Sequence, residues 1–433
     1  MHRRTITTSI AALALAAVPA AAGAVPGTQE QPQPDALPAP MTVEPEDELR
    51  RSIREAAAQA QRSTAADLPA TQGLPGTDRL PRSLRPDLDA GLEQLVADGA
   101  IGVTARVDTP TLRWSGSAGT RSLDGAAPAL DRSPLRVASN TKMLVATLVM
   151  QEVEAGTWTL DTPVEEVIPG LFPDHPEVTI RHLLSHTSGM PRGTGELIAP
   201  YLGDDPEDWD AFVAAVSRDY TDDEHIAAVN AVEWDLEPGE GFLYSNAGYV
   251  ALGMLLEEAT GSDVGTLITE RIRRPAGMGQ TRYPDEPGMQ GAALHEAMFV
   301  DGRGWIGLET FDPDVFRASG AAVATVEDLQ DLTGSLMSGE LLSQESVEAM
   351  VTPSSDNIMN YGLGMYSIPD PCRPGEFLHG HDGGSLGSLS LTFTSRDGAR
   401  QFSLGVTGRD QTLAQDALYD LNDALVPMLL ATC

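Results

Sequence analysis

Strand-patterned segments lie at both ends of this chain and a long helical stretch lies between them. No other feature constrains the fold as much. Ile101 to Val107 and Leu112 to Ser117 read as strands joined through Asp108-Thr109-Pro110. Tyr361 to Ile368, Ser388 to Ser395 and Gln401 to Val406 read as strands near the other terminus, with Asp397-Gly398 as a tight turn between the last two. From about 139 to 310 the pattern is mostly helical, broken by Pro and Gly. Pro86 to Ala97 and Ala414 to Leu430 read as helices close to the strands. Strands so far apart in sequence share a core by joining one sheet. The prediction is an α+β fold: one antiparallel sheet built from both chain ends, flanked by helices, with an inserted mainly helical region at about 150–310. This domain starts near Arg85 and runs to residue 433, and no internal repeat interrupts it.

Composition narrows the class. The chain has 433 residues, with 28 basic against 63 acidic, a formal charge of −35. That acidity argues against nucleic-acid binding and against adsorption to anionic membranes, both of which need basic surface. Cys372 and Cys433 are the only cysteines, too few for a cluster-type cofactor. At the N-terminus, His2-Arg3-Arg4, an apolar run within Ile6 to Ala17, and Ala22-Gly23-Ala24 form the pattern of a secretory signal peptide over residues 1–24. The expected location is therefore extracellular. Residues 25–84 read as a linker, stalk or prosegment with one short helix after Pro45. Its apolar stripe (Leu49, Ile53, Ala57) is thin, and Glu46–Arg50 and Asp47–Arg51 are spaced for i,i+4 pairs. In an exported protein Cys372 and Cys433 are expected to pair, pinning the last helix to the sheet, a loop closure of roughly 4 kcal/mol. The run Leu425 to Ala431 is too short for a membrane anchor, so a protein soluble outside the membrane is expected; a monomer is expected as well.

The basic residues are distributed unusually: 27 are arginines and one, Lys142, is a lysine. It stands in Ser139-Asn140-Thr141-Lys142, at the start of a helical pattern. Three residues is just under one helical turn, which puts the amine on the same side as the Ser139 hydroxyl. A desolvated lysine can lose its proton and deprotonate a serine; an arginine cannot. The helix N-terminus adds positive potential where an oxyanion would form. The bland alternative is an N-cap serine with a solvated lysine. Two further groups stand out. Tyr244-Ser245-Asn246 is the one Tyr-x-Asn among eight tyrosines, and His381-Asp382-Gly383 the one His-x-Gly among eight histidines. A phenol beside a cation can share a proton, a carboxamide can hold a substrate amide, and glycines admit a ligand to the backbone.

Ser-x-x-Lys, Tyr-x-Asn and His-x-Gly in this order resemble the penicillin-recognising serine hydrolases: class C β-lactamases, DD-peptidases, D-aminopeptidases and related esterases. Arg181 to Gly189 (RHLLSHTSG), Tyr361-Gly362-Leu363-Gly364 and the late cysteine pair are similar to secreted D-alanyl-D-alanine carboxypeptidases. The resemblance covers about residues 85–433 and implies a β-lactamase/transpeptidase-like fold with an acyl-enzyme mechanism. It implies Ser139 as nucleophile, Lys142 and Tyr244 as proton shuttle, and Asn246 on the substrate amide. It implies His381 as the group that polarises Tyr244, backbone N–H groups of Ser139 and Gly384 as oxyanion hole, and Asp382 and Gly383 beside the substrate. The implied activity is D-alanyl-D-alanine carboxypeptidase on peptidoglycan stem peptides, with β-lactams as inhibitors and with no cofactor or metal. The alternatives are an esterase, D-aminopeptidase or β-lactamase, or an inactive penicillin-binding module. One departure bears on the choice. Carboxypeptidase members commonly have Thr or Ser at Asp382, to hold the substrate carboxylate with a basic residue nearby. Here a carboxylate would face a carboxylate, Tyr366 stands where the basic residue is expected, and Arg373 is the candidate to compensate.

Other patterns carry less. Gly383-Gly384-Ser385-Leu386-Gly387 fits a nucleophile elbow, yet no histidine follows it to complete a triad. His379-Gly380-His381-Asp382 and the acidic runs at 204–208 and 222–224 lack the remaining ligands or spacing of a metal site.

Overall fold

The computed structural model describes residues 45–67, 84–205, 207–354, 359–410 and 418–433. The signal peptide over 1–24 and the linker at 25–44 and 68–83 lie outside the described residues.

Two strands follow the first domain helix, β1 (Gly102–Asp108) and β2 (Arg113–Gly119), and four come from the other end: β3 (Tyr366–Pro369), β4 (Phe377–Gly384), β5 (Ser388–Ser395) and β6 (Gln401–Thr407). They form one six-stranded sheet in the order β2-β1-β6-β5-β4-β3, antiparallel throughout. The seam between the chain ends is β1 against β6, where Val103 opposes Val406, Ala105 opposes Leu404 and Val107 opposes Phe402. The α+β architecture is thus the one expected. Two details differ. β3 begins at Tyr366 rather than Tyr361, because Gly364 turns the chain at φ +80° and packs so tightly that a Cβ there would lie 2.3 Å from the Ala146 methyl. β4 is unreadable in the sequence, since Phe-Leu-His-Gly-His-Asp-Gly-Gly is poor in strand-forming residues; the ladders to β3 and β5 impose it.

Two cores flank this sheet. One holds α1 (Pro45–Asp67), α2 (Leu84–Asp98) and the C-terminal helix against the sheet, through Leu88, Leu92, Phe393, Phe402, Leu425 and Leu429. The C-terminal helix runs Asn422–Ala431; the expected start at Ala414 falls among residues 411–417, outside the described residues. Cys372 and Cys433 form a disulfide that ties its end to the loop after β3. The stripe on α1 is longer than expected, adding Ala56 and Ala60 to Leu49, Ile53 and Ala57. All five are buried in this core, so the helix is packed on the domain. Glu46 and Asp47, the expected partners of Arg50 and Arg51, have side chains outside the described residues.

The second core is helical. α3 (Thr141–Ala155) and α4 (Asn246–Thr260) cross in it, with Leu144, Leu148, Leu183, Leu252, Leu255 and Leu329 buried. α3 is buried all round from Thr141 to Met150, as befits a helix enclosed on every side, and Gly156 ends it in the left-handed conformation. Where the start of α3 meets β4, the sequence-predicted groups come together.

Candidate active site

Ser139 sits in a single 3₁₀ turn, Ala138–Asn140, immediately ahead of α3. The cap residue of α3 is Asn140, so the Ser139 hydroxyl is not used for capping. It lies 2.9 Å from Lys142 Nζ. The lysine is 0% exposed, which overturns the solvated alternative. Its ammonium also donates to Asn246 Oδ1 at 2.8 Å and to the Ser319 carbonyl at 2.9 Å. Asn246 is fixed by its place at the start of α4: its amide donates to Thr194 Oγ1 at 3.0 Å, and Ser245, the cap of α4, donates to the Pro191 carbonyl at 2.6 Å.

β4 is pressed against the serine turn. A Cβ on Gly383 would lie 2.2 Å from the Val137 carbonyl oxygen and 2.8 Å from the Ser139 nitrogen, so only glycine permits the approach. Asn140 and Ser390 complete the junction with a 2.8 Å hydrogen bond. Gly384 is the partly exposed end of β4, one residue beyond.

Tyr244 lies over this centre with three cations about its ring. The Arg50 guanidinium is 4.4 Å from the ring centroid, Lys142 Nζ 4.7 Å and the Arg192 guanidinium 5.3 Å. Positive charge so placed favours any state in which the phenol oxygen carries negative charge. The His381 ring is 6.5 Å from the Tyr244 ring, centroid to centroid, and its Nε2 meets the Tyr361 hydroxyl at 3.0 Å. That hydroxyl also meets His186 Nε2 at 3.2 Å, and His186 Nδ1 accepts from the Ser245 N–H at 3.2 Å. These contacts assign directions. His186 Nδ1 is an acceptor, so its proton is on Nε2 and goes to the Tyr361 oxygen; Tyr361 then donates to His381 Nε2. Burial, followed by the charges of Lys142, His381, Arg50 and Arg192, holds His186 well below the ordinary imidazole value. Burial likewise pushes Tyr361 well above the ordinary phenol value, so both are neutral near pH 7.

Backbone strain marks the same place. The described non-glycine residues with positive φ are Ala138 (44°), His186 (57°), Arg317 (43°) and Asn360 (52°). They adjoin Ser139, belong to the His186–Tyr361 pair, lie near the Ser319 carbonyl that holds Lys142, and precede Tyr361. Such conformations persist only where the surrounding structure enforces them, and they cluster at functional centres.

The structure therefore gathers Ser139, Lys142, Tyr244, Asn246, His381, Asp382, Gly383 and Gly384 at one junction. Arg373 is not among them. It pairs with Glu376 at 3.4 Å and Asp397 at 3.7 Å on the surface, so it does not compensate Asp382. A cation beside Asp382 is Arg50 of α1, with Nε 3.3 Å from Oδ1 and both side chains buried. Arg50, His186 and Tyr361 are the residues that sequence reasoning did not assign a role. For Arg50 the signal was indirect: a carboxylate at position 382 that needed a cation. His379, the other half of the apparent metal pair, is hydrogen-bonded to Ser367 at 2.8 Å. Two surface grooves, one around Thr266, Arg273 and Tyr283 and one around Arg132, Gln280 and Asp331, include none of the site residues.

Comparison with known proteins bears on the fold and the family. The Beta-lactamase family model matches residues 88–397. Penicillin-binding protein 4* of Bacillus subtilis is 36% identical over 155 residues, 36% of this chain and 32% of that protein. Esterase EstB of Burkholderia gladioli is 30% identical over 209 residues, 45% of this chain and 50% of the esterase. The matches thus span a third to a half of these relatives. Among solved structures, a D-stereospecific amidohydrolase from Streptomyces sp. superposes with a TM-score of 0.67 and 28% identity, covering 75% of this chain and 94% of that one. By fold, and by a family match over residues 88–397, the chain belongs to the beta-lactamase family of serine hydrolases.

Proposed function

We propose that this chain is an exported serine hydrolase that cleaves D-amino-acyl amide, peptide or ester bonds through an acyl-enzyme on Ser139. The observation that carries the reading is the buried Lys142, with Nζ 2.9 Å from the Ser139 hydroxyl. With Lys142 neutral, the Ser139 O–H donates to Nζ and Oγ attacks the substrate carbonyl. The proton passes by Lys142 and Tyr244 to the leaving amine or alcohol as the C–N or C–O bond breaks. Water then enters by the same groups in reverse and releases the acid. The backbone N–H groups of Ser139 and Gly384 receive the oxyanion, and Asn246 holds the substrate amide. His381, held by the Tyr361–His186 chain, acts as a positioning residue behind Tyr244.

The narrower assignment, D-alanyl-D-alanine carboxypeptidase on stem peptides, rests on motif resemblance and on relatives bearing penicillin-binding names. It would put a free carboxylate near Asp382, whose own charge Arg50 answers; amide or ester substrates without that carboxylate do not depend on a cation there. Export rests on the N-terminal pattern, and no helix among the described residues is long and apolar enough to cross a membrane. The test is acylation by a fluorophosphonate, with the modified residue identified by mass spectrometry. An adduct on Ser139 that is absent from Ser139→Ala is expected. Labelling elsewhere, or none in any variant after long incubation, defeats the reading.

A further inference from the structure

We propose that Arg317 is a positioning residue for Lys142: its guanidinium holds a strained turn, and that turn presents the Ser319 carbonyl that orients the amine. The inference rests on the acyl-hydrolase reading and adds to it the device that aims the proton acceptor.

Arg317 opens the 3₁₀ turn Arg317–Ser319 with φ at +43°. A residue with a Cβ pays to stand there, whereas glycine enters the region freely. Such a conformation persists only where something enforces it. The enforcement lies at the far end of the side chain. Nε and Nη2 both donate to the Asp222 carboxylate, the second at 3.1 Å. Nη1 pairs with Asp314 Oδ1 at 3.1 Å and donates to the Tyr220 carbonyl at 3.0 Å. Asp222 begins the helix Asp222–Asn230, and Nε2 of His225 in that helix meets the Asp314 carbonyl at 2.8 Å. The helix thus grips this segment at two points, and one of them is the guanidinium. A planar fork seated on two carboxylates is a rigid anchor.

What the anchor holds is part of the reacting centre. Ala318 packs on α4 so closely that a Cβ on Gly253 would lie 2.8 Å from its methyl, and Ser319 is buried. The Ser319 carbonyl accepts an N–H of Lys142 at 2.9 Å. Three residues on, the Ala322 carbonyl accepts from the Val137 N–H at 2.9 Å, and the Ala322 N–H donates to Thr141 Oγ1 at 3.1 Å. The segment that starts at Arg317 therefore runs along the nucleophile turn and holds the lysine from the same stretch of backbone. An N–H fixed on the Ser319 carbonyl limits where the lone pair of Lys142 can point once its proton has left. A proton acceptor aimed slightly wrong loses rate steeply. Arg317 acts through the carbonyl two residues on, not by contact with the reacting atoms.

The test is the pH profile of fluorophosphonate labelling at Ser139 in the full-length chain, which reads the nucleophile without a leaving amine. In Arg317→Ala the strain stays and the anchor goes, so the plateau rate is expected to fall about tenfold. The acid limb should move to lower pH, because an ammonium that loses an acceptor gives up its proton more readily. In Arg317→Gly the strain goes with the anchor, so the plateau is expected within about twofold of the unsubstituted chain and the limb is expected to stay in place. A lost ion pair alone gives no such recovery, since glycine is ordinarily the more destabilising replacement. Arg271→Ala removes another arginine–carboxylate pair, with Glu152 near the far end of α3, and should alter neither plateau nor limb. If Arg317→Ala does not fold by circular dichroism, Asp222→Asn serves instead, because it loosens the same guanidinium. It should slow labelling about threefold in the unsubstituted chain and not at all in Arg317→Gly. Equal plateaus for Arg317→Ala and Arg317→Gly, an acid limb unmoved in Arg317→Ala, or one Asp222→Asn effect in both backgrounds would overturn the inference while leaving Ser139 acylation intact. Absence of any Ser139 adduct in the unsubstituted chain would instead strike the function itself.

Discussion

Lys142 on α3 and Arg50 on α1 approach the Tyr244 ring at similar distances, 4.7 and 4.4 Å, yet they are held in opposite ways. Lys142 donates to neutral oxygens, a hydroxyl, a carboxamide and a carbonyl. Arg50 sits on a carboxylate. Neutral acceptors orient an ammonium without adding an opposing charge that would hold the proton in place. A guanidinium stays charged at any working pH, and on a carboxylate it is a clamp. The comparison separates a cation that reacts from one that occupies. It also separates the helix that carries the family's motif from one that lies outside it.

The sharpest way to break that contrast is Lys142→Arg. If Lys142 serves through its ability to give up a proton, the substitution should lower kcat/KM by about 10³-fold, as general-base losses do. The charge and much of the packing would be retained. Steady-state kinetics on a D-amino-acyl p-nitroanilide reads this directly, and activity within tenfold of the parent would mean that Lys142, like Arg50, acts only as a charge.

Tyr361→Phe probes what stands behind both cations. It removes the hydroxyl between His186 and His381 without changing ring packing, and the stranded His186 N–H donor and His381 Nε2 acceptor should cost about 1–3 kcal/mol in a urea melt. Because His381 then loses one of its hydrogen bonds, the acid limb of the kcat/KM–pH profile should also move. A stability loss with an unmoved profile would leave Tyr361 a purely structural residue.

The smallest expected effect concerns pH. His186 is held neutral in the fold by burial first, then by Lys142, His381, Arg50 and Arg192. Its folded value lies below the unfolded 6.5, so the unfolded chain binds more protons as pH falls below 6.5. Stability is therefore fully present above that value and is lost on acidification, by at most about 1.4 kcal/mol per pH unit for one group. Removing one opposing charge with Arg50→Ala should raise the folded value, so that this group's share of the decline ends at a higher pH, read from unfolding free energies measured down the acid range. An end point that does not move would mean that the Arg50 charge has no hold on His186.

Much of this site was legible because its parts are local. Ser139 and Lys142 are three residues apart on one turn, and Tyr244 and Asn246 straddle the start of a helix, so spacing alone brings each pair together. The sheet from both chain ends was legible for the same kind of reason, since alternation and turn residues repeat over short windows. β4 was not, because its glycines and histidines serve close approach to the serine turn and only the neighbouring ladders make it a strand. His186 and Tyr361 were read as family letters without roles, for they meet across 175 positions.

By itself the sequence determined the spacing of the nucleophile and its lysine, the sheet-forming ends, and the misfit of a carboxylate at position 382. It could not choose which of 27 arginines answers that carboxylate. A side chain's charge is written in the sequence, but its partner is decided by packing. Arg50 reaches Asp382 because a mostly alanine stripe lets α1 lie close to the sheet, and that contact exists only once the two ends of the chain have folded together.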